Sequence, residues 1–77
     1  MRLVKQIPHS HFRISIYSWN EKYLLEIELD RYKQTYRWGH DEVENVDVVS
    51  SFLTPDFMEQ VMGVFLQMRA GFERIKK

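Results

Sequence analysis

Hydrophobic and polar positions along this chain change their period once, and the switch divides it into two kinds of structure. From residue 11 to residue 38 the pattern repeats every second position, as a half-buried strand requires. Phe12, Ile14 and Ile16 mark one face of the first run, Tyr23, Leu25, Ile27 and Leu29 the second, and Tyr32, Gln34, Tyr36 and Trp38 the third. The spacing predicts strands over 11–19, 22–30 and 31–38, with turns at Asn20-Glu21 and Asp30-Arg31. Neither turn contains glycine, so two-residue and four-residue loops are both open. Both lengths give one pairing: Arg13 opposite Glu28 and Glu28 opposite Lys33, with rows Ser15–Glu26–Thr35 and Tyr17–Leu24–Arg37 on the same face. The other face collects Phe12, Leu29 and Tyr32, and Ile16, Leu25 and Tyr36. A slip of one residue would set Ile27 against Ser15 and mix the faces, so register follows from burial. The expectation is a three-stranded antiparallel meander in the order 1-2-3.

The last third of the chain has helical period. Thr54-Pro55-Asp56 combines a hydroxyl N-cap, proline at the first helical position and an acid in the first turn. Met58, Val61, Phe65, Met68, Phe72 and Ile75 follow at spacings of three and four, and Arg69, Arg74, Lys76 and Lys77 sit towards the end, where cations suit the helix dipole. A helix over 54–76 spans about 33 Å, close to the roughly 30 Å of a nine-residue strand, so it can cover the apolar sheet face. His40-Asp41-Glu42 reads as a solvated loop. Residues 45–53 fit a short helix capped by Asn45, with Val46, Val49 and Leu53 on one side; their β-branched content also suits a strand, and the helix is preferred. The resulting fold class is α+β, a single βββαα domain of two layers over residues 1–77.

Size sharpens this picture. A chain of 77 residues hides only about 60% of the surface its unfolded form exposes. It has no cysteine to supply disulfides or thiolate metal sites. Small domains without such staples often rely on association. Eleven basic residues balance eleven acidic ones, so no long-range field gathers polyanions or keeps copies apart. No apolar run reaches the roughly 18 residues of a membrane span. The start lacks the apolar stretch and cleavage site of a secretory signal, which makes the cytoplasm the expected compartment.

Candidate chemistry is sparse. Arg13, Lys33 and Arg37 near Tyr17 and Trp19 have the residue types of a single-stranded nucleic-acid platform. The register, however, sets Glu26 and Glu28 along its middle, so nucleic acid is disfavoured as a partner. His9 and His11 share a strand face at i, i+2, with Asp30 a conceivable third ligand, but neither a His-Glu-x-x-His motif nor a calcium-loop spacing accompanies them. None of the serines sits in a Gly-x-Ser-x-Gly elbow, and no glycine-rich phosphate loop exists. The sequence therefore calls for no catalytic residue, no cofactor and no metal.

The stretch Ser18-Trp19-Asn20-Glu21-Lys22-Tyr23-Leu24, with Gln34-Thr35-Tyr36 and Phe57-Met58, resembles a group of short uncharacterised bacterial proteins. The similarity covers most of the chain after residue 9. It implies a compact bacterial domain and carries no function, since the group has no assigned activity.

Two features exceed what a lone domain requires. The helix is apolar around too much of its circumference, since in Val61-Met62-Gly63-Val64-Phe65-Leu66 only Gly63 lacks a hydrophobic side chain. Some of Met62, Val64 and Leu66 must meet the 45–53 segment or another molecule, with Gly63 permitting a close approach. On the charged sheet face, Tyr17, Trp19, Leu24 and Arg37 cluster, and aromatic residues with arginine are enriched at interfaces. The expected function is a small non-enzymatic protein-interaction module that binds itself, as a homodimer, or another protein. A single-stranded nucleic-acid binder is the alternative, and a small enzyme or ligand carrier the second.

Overall fold

In the computed structural model, which describes residues 1–76, the chain forms β1 (Arg2–Ile7), β2 (Arg13–Trp19), β3 (Lys22–Leu29), β4 (Tyr32–Gly39), α1 (Val46–Ser51) and α2 (Pro55–Ile75). The four strands make one antiparallel sheet in the order β1-β2-β3-β4.

The sheet has four strands and not three, because residues 2–7 pair with β2. Period-two reading misses β1 for a physical reason. Leu3 pairs with Tyr17 while Lys5 pairs with Ile16, so Val4 is an extra residue bulged out of the ladder. The bulge flips the alternation: Leu3 joins the face of Tyr17, and Lys5 and Ile7 join that of Ile16 and Ile14. With Arg2, Lys5 and Gln6 in the same six residues, no single apolar face is left to read.

The other three strands follow the predicted register, with Arg13 opposite Glu28, Glu28 opposite Lys33, Tyr17 opposite Leu24 and Leu24 opposite Arg37. Both hairpins use two-residue loops. Asn20 and Glu21 have φ of 52° and 61°, the two left-handed residues of a type I′ turn, and Asp30 has φ of 58°. Primed turns twist in the same sense as the strands they join, which keeps the meander tight without glycine.

One face of the sheet is roofed by the helices. Ile16, Leu25 and Ile27 below and Val49 and Val61 above are fully buried, and the Phe12 and Phe65 rings stack at 5.6 Å. Asn45 caps α1, its side chain accepting from the N–H groups of Asp47 at 2.9 Å and Val48 at 3.2 Å. Thr54 caps α2 by accepting from Phe57 N–H at 3.2 Å, with Pro55 beginning the helix. α2 runs along β4 in the opposite direction: Phe57 meets Tyr36, Val61 meets Gln34 and Phe72 meets Tyr32. α1 lies nearer β3, and an ion pair of 3.4 Å from Lys5 to Asp47 ties it to β1. Lys77, expected near the helix end, lies outside the described residues.

The molecule is elongated, 44 × 26 × 19 Å. Its radius of gyration of 13.6 Å exceeds the roughly 11.5 Å of a compact chain of this length.

Candidate functional site

The second face of the sheet carries no helix, so what lies on it is decided by the strands alone. Its side chains divide by position. At the Arg13 end are charges: Arg13, Glu28 and Lys33 in one row, with Glu26 and Thr35 in the next. Lys33 reaches diagonally to Glu26 at 3.6 Å rather than to Glu28 directly opposite, and the Glu26 side chain is only 12% exposed beneath it. One cation is thus already shared with an acid at the centre of the face.

The other end is apolar. The row Leu3–Tyr17–Leu24–Arg37 crosses all four strands, and Trp19 follows Tyr17 on the same side of β2. Leu24, at 9% exposed, is covered by its neighbours, whereas Trp19 and Leu3 are 52% and 48% exposed. Of the residues expected here, Tyr17, Trp19, Leu24 and Arg37 are brought together. Leu3 was not expected, and only the bulge at Val4 places it beside Tyr17. The signal that could have found it is negative: Leu3, Lys5 and Ile7 cannot share one face without burying or exposing the wrong member.

The helix residues separate differently. Met62 packs against the core and Val64 is half-buried, while Leu66 is 58% exposed. Open space surrounds Gly63, where an added Cβ would meet nothing within 4 Å. No other element therefore uses the close approach that glycine allows. Leu66 borders a groove of about 410 Å³ between the second half of α2 and the β3–β4 turn, where Tyr32 and Phe72 form apolar wall and Arg31, Arg69 and Lys76 stand with Asp30 and Glu73. The Arg31 guanidinium lies 4.3 Å from the centre of the Phe72 ring, a cation–π contact that fixes the turn to the helix.

His9 and His11 lie in the connection between β1 and β2 and not on a strand face, and His9 has a structural task there. His9 Nδ1 accepts from the backbone N–H of His11 at 3.1 Å and of Phe12 at 3.4 Å, closing the turn into β2. Its lone pair is therefore engaged. Among the described residues, no three His, Asp or Glu side chains group closely enough to hold a metal ion. No helix among them is long and apolar enough to cross a membrane.

Fold and site together define a two-layer α+β domain: a four-stranded meander with helices on one face and an aromatic patch on the other. Comparison of the chain with family models, curated proteins and solved structures finds no match in any of the three.

Proposed function

We propose that this domain is a non-enzymatic protein-interaction module that self-associates through the uncovered face of its sheet. The observation that carries the reading is the contiguous patch of Leu3, Tyr17, Trp19 and Leu24 on a face that no helix covers. A half-exposed tryptophan held by a rigid strand, with a tyrosine beside it and the Arg37 guanidinium at its rim, has the composition of an interface centre.

The chain exposes 5772 Å², about 750 Å² more than a compact monomer of this mass, as its elongated shape requires. A second copy fits the electrostatics, because a chain of zero net charge does not repel itself. Two such faces stacked about a two-fold axis at the apolar end would pack about 10 Å apart. Their charged ends would splay into water, which keeps Lys33 solvated above Glu26.

Light scattering from micromolar to millimolar concentration tests this reading. The wild type is expected to shift from monomer to dimer mass, and Trp19→Glu to remain monomeric. A strict monomer over that range contradicts the proposal. The rival reading places single-stranded nucleic acid on Tyr17 and Trp19 with Arg13, Lys33 and Arg37, and it requires an affinity that falls steeply as salt rises.

A further inference from the structure

The two edges of the sheet are not alike. β1 is interrupted by the bulge at Val4, a device that spoils an edge for strand addition. β4 pairs with β3 over eight uninterrupted positions. Its two-residue turn makes Leu29 and Tyr32 a hydrogen-bonded pair, so Tyr32, Gln34, Tyr36 and Trp38 bond inwards to β3. The N–H and C=O groups of Lys33, Thr35 and Arg37 then point away from the sheet. Beyond the ladder, no hydrogen bond among the described residues engages them. The edge closes only at Gly39, whose N–H donates to Glu42 Oε1 at 2.9 Å and whose carbonyl accepts from Glu42 N–H at 2.9 Å.

We propose that the open stretch of β4 binds an extended acidic peptide segment of another protein, which adds to the sheet as a fifth strand. Six backbone groups over three residues supply the main-chain ladder of strand addition. Side chains choose the partner. Lys33, Thr35 and Arg37 are all exposed on the outer face, and Arg37 makes no ion pair among the described residues. Acids on the added strand opposite Lys33 and Arg37 would form favourable cross-strand pairs. On the helix side, Tyr36 and Phe57 pack edge to face at 5.6 Å and are half-buried, so an apolar side chain between the acids would extend that contact. The recognised pattern is therefore alternating acidic and apolar. A second β4 is disfavoured, because an antiparallel copy centred on Thr35 sets Lys33 against Arg37. The edge is separate from the proposed self-association patch except at Arg37, which lies at the rim of both.

The probe is a fluorescein-labelled heptapeptide alternating Glu and Val, with a Lys and Val counterpart as control, followed by fluorescence anisotropy and by amide hydrogen exchange. Tighter binding of the acidic peptide, by about tenfold or more, is expected, with new protection at the Lys33, Thr35 and Arg37 amides. Thr35→Pro removes an outward N–H that the intrachain ladder does not use, and it should abolish binding while the fold persists. Should Thr35→Pro unfold the chain, Lys33→Glu with Arg37→Glu decides instead, since it must turn the preference towards the Lys peptide. No binding, equal affinity for the two peptides, protection mapped to β1 or to Trp19, or an unchanged preference in the charge-reversed variant would overturn the proposal.

Discussion

The side-chain amide of Gln34 donates to the backbone carbonyl of Val61 across 3.0 Å, joining an edge strand to the middle of α2 inside an apolar layer. Its oxygen is occupied as well, accepting from the Tyr36 hydroxyl at 2.9 Å. Gln34 is 7% exposed, and both ends of its amide are satisfied, so the polar group is tolerated where a hydrophobic residue would be expected. The bond also sets the position of α2 along β4, which general apolar packing cannot do as sharply.

Replacing Gln34 with Leu should therefore cost about 1–3 kcal/mol despite the gain in apolar surface, because the Tyr36 hydroxyl loses its acceptor. Tyr36→Phe alone should cost about 1 kcal/mol. In a urea double-mutant cycle the two are expected to be less than additive by roughly 0.5 kcal/mol or more. Strict additivity would mean that the three groups do not act as one network.

The β2–β3 turn makes a prediction in the opposite direction. Glu21 holds φ at 61° without the freedom of glycine and without the short polar side chain that eases this region for Asn20. Glu21→Gly should stabilise the domain by about 0.5–1 kcal/mol through relief of that strain. Thermal unfolding would show a midpoint raised by several degrees, and a lowered one would contradict the turn geometry.

How far the fold was legible follows from these same elements. The register of β2, β3 and β4 could be read because one face of each strand is predominantly apolar, Gln34 and Ser18 apart, and a slip would expose it. Asn45 and Thr54 could be read as caps because a side-chain oxygen one residue before a helix has few other uses. β1 could not be read, since one bulged residue destroys the only signal that a six-residue strand offers. Four members of the outer patch were visible from parity, and Leu3 was hidden with its strand. The surplus apolar surface of α2 was legible as a quantity but not as a location, because which of Met62, Val64 and Leu66 the core absorbs depends on the crossing of α2 over β4.

The bulge itself is open to test. Deleting Val4 should restore simple alternation with Leu3 still opposite Tyr17 and Lys5 still opposite Ile16, so self-association should survive it. Leu3→Ala, which takes the apolar side chain off the outer face, is expected to weaken self-association measured by sedimentation equilibrium by about threefold to tenfold, the loss of roughly 1 kcal/mol of apolar contact. An unchanged dissociation constant would remove Leu3 from the interface.

Asn45→Ala should destabilise α1 and cost about 1 kcal/mol in overall stability, since its side chain caps two N–H groups. Hydrogen exchange at the Asp47 and Val48 amides checks this, with faster exchange expected at both.

Self-association through the aromatic end of the sheet is tested most directly by intermolecular nuclear Overhauser effects in a mixture of isotope-labelled and unlabelled protein. Contacts from the methyl groups of Leu3 in one copy to the Trp19 ring of the other are predicted. Their absence in a sample of dimer mass, or contacts arising instead from Leu66 on α2, would contradict the account.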